Sequence, residues 1–169
     1  MNGSATCDLT PRHAGGIEID NAPGRDPLPQ LKKKRSLHIL CIDDDPQVRD
    51  FLNDCLTHFK HRVTVASGGR RGLEMFRTAT LQNQPYEVVI TDLGMPDMDG
   101  QCVARTIKAQ SPNTPVILMT GWGTFMADEG DSDRPVVDAV VGKPPRIQEL
   151  NDLILQMTTP ANLAGKEAR

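Results

Sequence analysis

The chain has 169 residues and a formal net charge of −3. That length suits one ordinary domain whose core needs neither disulfides nor a structural metal. The small charge gives no global signal for nucleic acid or membrane. No apolar run is long enough to span a bilayer, and the N-terminus lacks a signal-peptide core, so the expected compartment is the cytoplasm.

Residues 1–35 read as a flexible leader. Pro11, Pro23, Pro27 and Pro29 with Gly15, Gly16 and Gly24 argue against a packed unit, and apolar residues are sparse. The run Lys32-Lys33-Lys34-Arg35 closes it. Without aromatic residues among the charges, this run reads as a solvated flank rather than a nucleic-acid contact.

The compact unit begins near Leu37. Leu37 to Ile42 reads as a buried strand, followed at once by Asp43, Asp44 and Asp45. Pro46 opens a helix with Asp45 as N-cap, which gives Asp45 a structural role and leaves Asp43 and Asp44 without one. Val48, Phe51, Leu52, Cys55, Leu56 and Phe59 recur at helical spacing and predict one apolar face.

Arg62 to Ala66 reads as a second strand, and a helix carrying Leu73, Phe76 and Ala79 follows Gly68 and Gly69. The third strand, 87–91, contains the β-branched run Val88-Val89-Ile90 and leads into Asp92. Asp97-Met98-Asp99-Gly100 hints at a calcium loop, but Met95 and Thr106 hold the first and last ligand positions, so a turn is predicted. A helix over 101–110 carries Val103 and Ile107.

Pro115 to Met119 predicts the fourth strand, ending at Thr120. Residues 121–135 hold glycines and acidic residues that leave room for at most a short helix. This segment is expected to be the most mobile part of the domain. Val136 to Val141 predicts the fifth strand, ending near Lys143-Pro144-Pro145, and a last helix spans about 146–157. Residues 159–169 form a polar tail. The four cysteines show no CxxC spacing, and Cys41 and Cys55 are expected in the core.

Five strands alternating with helices predict an α/β fold with a parallel sheet and helices on both faces. In the flavodoxin-like order 2-1-3-4-5 the first and third strands are neighbours at the switch point. Asp43, Asp44, Asp92, Thr120 and Lys143 then share one rim. Three ionised carboxylates so close repel, and at least one would take up a proton unless a cation intervened; an all-oxygen set suits Mg²⁺. With Thr120 as a hydroxyl donor and Lys143 as a point charge, the rim fits a phosphoryl group carried on Asp92.

The stretches ILCIDDDP, VVITDLGMPDMDG, VILMTGWG and VVGKP resemble the receiver domain of two-component response regulators, over residues 36–158. The resemblance implies Asp43 and Asp44 as the acidic metal pair, Asp92 as phosphoacceptor, Thr120 as the switch hydroxyl and Lys143 as the family's lysine. It also implies Gly94 as a metal ligand through its carbonyl, a cis Lys143–Pro144 bond, Mg²⁺ as cofactor, and a histidine kinase or phosphotransfer protein as donor. Output would pass through protein–protein contact, with no chemistry beyond the domain's own phosphorylation and dephosphorylation.

Val140 stands where many receivers carry an inward-turning aromatic, so that switch is missing. Trp122, the only tryptophan, follows Thr120 closely and is expected to pack in that loop or shield the acyl phosphate. His13 to Gly24 is similar to the last hairpin of histidine-kinase ATP-binding domains. Either it is a remnant from a hybrid kinase, unable to bind ATP, or its Gly/Pro-rich composition alone accounts for the match.

Two other functions compete on the same fold. An aspartate-nucleophile phosphohydrolase resembles Asp-x-Asp-x-Thr at the first strand; here the run is Asp43-Asp44-Asp45-Pro46-Gln47, without the Thr. A flavin module needs a hydroxyl-rich phosphate loop there, and three aspartates would repel the phosphate.

Overall fold

A computed structural model describes residues 35–121 and 136–159. Residues 1–34 of the leader, with the segment His13 to Gly24, Trp122, the acidic segment up to 135, and the tail from 160 onward lie outside the described residues.

The elements are β1 (His38–Ile42), α1 (Pro46–His58), β2 (Arg62–Ala66), α2 (Gly69–Leu81), β3 (Val88–Asp92), α3 (Gly100–Gln110), β4 (Val116–Thr120), β5 (Ala139–Gly142) and α4 (Ile147–Met157). All strand pairs are parallel, in the order β2-β1-β3-β4-β5. The predicted flavodoxin-like sheet is therefore the observed one.

Alternation along the central strands divides the core into two layers. Ile39, Cys41, Val88, Ile90, Ile117 and Met119 face Leu52 and Leu56 of α1 and Leu150 and Ile154 of α4. Leu40, Ile42, Val89 and Val116 face Leu73 and Phe76 of α2 and Val103 and Ile107 of α3. β1, β3 and β4 are thus covered on both sides, which is why they read as unbroken apolar runs. Each fully buried Leu or Ile contributes about 1.5–3 kcal/mol.

Two helix N-termini are capped by aspartates. Asp45 accepts from Gln47 N at 2.8 Å, as expected, and Asp99 accepts from Cys102 N at 2.7 Å. The predicted turn at 97–100 therefore also starts α3.

Two expectations need correction, and the apolar face of α1 proves only partly buried. Phe51, on that face, is 42% exposed and lines an apolar cleft with Val48, Pro144 and Pro145. It lies at the edge of α1's apolar face, whose buried centre is Leu52 and Leu56. Cys55 is only half-buried for the same reason, whereas Cys41 is buried. The fifth strand is shorter than expected because the Asp138 carboxylate accepts from Val116 N at 2.7 Å and pairs with Lys108 at 2.5 Å. A side chain thereby takes a main-chain donor at the start of the ladder. Among the described residues no helix is long and apolar enough to cross a membrane.

Candidate functional site

The sheet register brings the site together. Ile42 pairs with Thr91, so the next residues, Asp43 and Asp92, leave adjacent strands side by side. Thr120 pairs with Gly142, which sets Lys143 beside the end of β4. There Lys143 N donates to Thr120 O at 2.8 Å. The Lys143–Pro144 peptide bond is cis, as expected.

Side chains close the arrangement. The carboxylates of Asp43, Asp44 and Asp92 offer ligand atoms that all lie within 4.8 Å of one another. Lys143 Nζ bridges two of them, at 2.6 Å from Asp43 Oδ2 and 2.7 Å from Asp92 Oδ1. Asp43 is fully buried, Asp92 and Thr120 are buried, and Asp44 is exposed. Asp43 Oδ1 accepts from Asp45 N at 2.9 Å, so both oxygens of Asp43 are engaged. Gly94 is exposed in the β3–α3 loop. A Cβ built there would meet only Asp92 Oδ2, at 4.0 Å, so the space over that oxygen is open.

Three carboxylates and no nitrogen or sulfur donor make a hard, all-oxygen set, which fits Mg²⁺. Lys143 supplies a cation of its own to this cluster. Burial works to lower the Lys143 pKa, but hydrogen bonds to Asp43 and Asp92 outweigh it, and the ammonium is held above the ordinary lysine value. Asp43 responds the other way. Burial raises its carboxyl above the ordinary range, and the bonds from Lys143 and the Asp45 amide only partly offset this. The lysine thus gains from the pair, while the buried carboxylate still carries a desolvation cost.

That cost has a measurable consequence. A carboxyl whose folded pKa is raised adds stability below its unfolded pKa and loses it as pH rises through the folded value. At neutral pH the ionised Asp43 therefore destabilises the fold. In Mg²⁺-free buffer, Asp43→Asn is expected to unfold at higher urea than the wild type at pH 7. The gap should close as pH falls into the carboxylate range. A lower midpoint for the variant at pH 7 would show that the Lys143 pair outweighs burial.

The β1–α1 and β3–α3 loops hold contacts that sequence reasoning did not single out. Arg49 Nη1 donates to the carbonyl oxygens of both Asp43 and Asp44, each at 2.8 Å. Gly100 packs its Cα against the main chain of Asp92, where a Cβ would lie 2.1 Å from Asp92 O. For Asp99, an aspartate just before a helical apolar pattern was a readable N-cap signal. No sequence pattern announces the close approach at Gly100. Val140, in the position of the missing aromatic, is 40% exposed on β5.

Comparison with known proteins gives one consistent answer. Residues 39–155 match the family described as the response regulator receiver domain. The chain is 32% identical over 123 residues to the response regulator receiver protein CpdR of Brucella abortus, covering 73% of this chain and 98% of CpdR. It is 30% identical over 143 residues to the sensor histidine kinase AtsR of Burkholderia thailandensis, covering 81% of this chain but 22% of AtsR. Among solved structures, a response regulator receiver domain protein from Clostridium thermocellum matches with a TM-score of 0.62 at 28% identity, over 76% of this chain and 98% of that one. The response regulator TrrA of Thermotoga maritima, in complex with Mg²⁺–BeF, matches with a TM-score of 0.63 at 26% identity, over 72% and 98% of the two chains.

Proposed function

Because this chain belongs to the response regulator receiver family, we propose that it accepts a phosphoryl group on Asp92 from a histidine kinase or phosphotransfer protein and signals through protein contact. The observation that carries this reading is the bridge of Lys143 Nζ to both Asp43 and Asp92 inside an all-oxygen cluster. It provides a strand-end carboxylate beside a mobile positive charge and a cation-binding pair, as transfer to an aspartate requires.

Asp43 and Asp44, with Asp92 itself and the Gly94 carbonyl, would hold Mg²⁺. The Mg²⁺–BeF complex of TrrA supports the same ion here. When bound, Mg²⁺ supplies the counter-charge that lets an anionic phosphoryl group approach a carboxylate.

The chain's own groups do the rest. An Asp92 oxygen attacks phosphorus as the bond to the donor breaks, and the leaving group keeps that electron pair. Lys143, already hydrogen-bonded to Asp92, turns its ammonium to the phosphoryl oxygens. Thr120, one residue beyond the Asp92–Met119 pair, donates its hydroxyl to another of these oxygens. Hydrolysis by water then returns the carboxylate and releases inorganic phosphate. With Val140 exposed on β5, the signal leaves this rim without an aromatic side chain turning inward. The domain is residues 36–158, behind a leader at 1–35 and ahead of a tail at 159–169. It works in the cytoplasm.

Intact mass after mixing with acetyl phosphate tests the proposal. One labile phosphoryl group is expected, in the presence of Mg²⁺ and not in its absence, and peptide mapping should place it on Asp92. Mg²⁺ binding without any gain in mass would overturn it.

A further inference from the structure

The β1–α1 connection is only three residues long, and all three are aspartates. Two of them belong to the acidic cluster, so the shape of this loop sets where the cluster's ligand atoms lie. Mutual repulsion among Asp43, Asp44 and Asp45 works to splay it.

Asp43 is tied down at several points. Its amide donates to Ala66 O at 3.1 Å, its Oδ1 accepts from Asp45 N, and its Oδ2 accepts from Lys143. Asp44 is exposed; its carbonyl accepts from Arg49, while the amide of the same peptide plane, Asp45 N, is the one that donates to Asp43 Oδ1. The same Arg49 nitrogen also bonds the Asp43 carbonyl, at the same 2.8 Å. One half-buried guanidinium on α1 therefore clamps two consecutive peptide planes of the loop.

Lys143 and Arg49 act differently on the cluster. Lys143 occupies carboxylate oxygens that a metal ion would also use. Arg49 holds main-chain carbonyls and leaves the carboxylate lone pairs available, while its charge offsets the repulsion that would open the loop.

We propose that Arg49 is a positioning residue for the divalent cation: it touches neither the ion nor the phosphoryl group, and it preorganises Asp43 and Asp44 through their carbonyls. This rests on the metal-dependent reading of the site given above. A group that orients ligands from outside the coordination shell changes metal affinity by about 10–100-fold when removed.

Arg49→Met keeps much of the aliphatic stem and removes both bonds. Arg49→Lys keeps the charge and a single nitrogen able to donate to both carbonyls, on a side chain one bond shorter. Calorimetric titration with MgCl₂ alone should show a dissociation constant raised at least about tenfold in the Met variant. The Lys variant should stay within about threefold of the wild type, since a replacement that restores the bonds restores the orientation. Circular dichroism should confirm that both variants are folded. At saturating Mg²⁺ the Met variant should take up phosphoryl groups from acetyl phosphate at close to the wild-type rate.

Unchanged Mg²⁺ affinity in a folded Met variant would overturn this inference alone. So would uptake that stays defective at saturating Mg²⁺, which would place Arg49 in the chemistry. An unfolded Met variant together with weakened binding in a folded Lys variant would also count against it. A wild-type protein that binds no Mg²⁺ would overturn both this inference and the reading it rests on.

Discussion

Asp92→Asn is expected to take up no detectable phosphoryl group from acetyl phosphate, a loss of at least about a thousandfold or roughly 4 kcal/mol of barrier. The substitution is nearly isosteric, so the buried end of β3 can hold it without repacking. The side-chain oxygen can still accept from Lys143, which also keeps Asp43 at 2.6 Å. What disappears is the anionic oxygen. An amide oxygen is a poor nucleophile, and no base in the site can restore the charge. The nearest substitutes are the carboxylates of Asp43 and Asp44, within 4.8 Å, but Asp43 has both oxygens engaged and Asp44 is exposed at the rim. Intact mass and peptide mapping of the variant check this. Wild-type uptake by Asp92→Asn, or mapping of the wild-type label to Asp43 or Asp44, would assign the nucleophile elsewhere.

Much of this site could be read in the chain because each of its main residues sits where a strand ends. Buried parallel strands appear as apolar runs, and a polar residue directly after such a run falls on the carboxyl rim. That logic identifies Asp43, Asp92, Thr120 and Lys143, and the observed register sets them on one side of the sheet. It does not show which of them touch. The double bridge of Lys143 depends on a long side chain reaching from the end of β5 to β1 and β3. Arg49 was hidden for a different reason. An arginine on a helix's first turns is usually a solvated charge, and only the path of the preceding loop turns its guanidinium onto two carbonyls. Asp138 misled the strand prediction in the same way, since its carboxylate replaces a main-chain partner of Val116. Periodicity put Phe51 on the apolar face of α1 but did not show how deeply it is buried, because it defines the direction of a face and not its width.

Among the described glycines, Gly100→Ala should be the most damaging change, at about 3 kcal/mol or more in urea denaturation. Gly100 begins α3, and its amide donates to Leu93 O at 3.1 Å, which draws the helix against the end of β3. An added Cβ would stand 2.1 Å from Asp92 O, 2.9 Å from Asp92 C and 2.7 Å from Leu118 Cδ1. Leu118 can move its methyl, but the Asp92 carbonyl is backbone, in a strand whose Asp92 is paired with Met119 of β4. Relief must come from α3 sliding away, which strains the Asp99 cap, or from tilting the Asp92 peptide. A tilt would turn the Asp92 side chain relative to Lys143. Misplacing a reacting group by about 1 Å can cost about a hundredfold, so the folded fraction should also phosphorylate at least tenfold more slowly. Gly142→Ala is the matched control. It lies at the end of β5 with nothing within 4 Å of an added Cβ, and it should leave stability and uptake close to wild type. If Gly100→Ala were as mild as Gly142→Ala, α3 would not be holding the Asp92 main chain in place, and the orientation of the acceptor carboxylate would have to come from Lys143 and Asp43 alone.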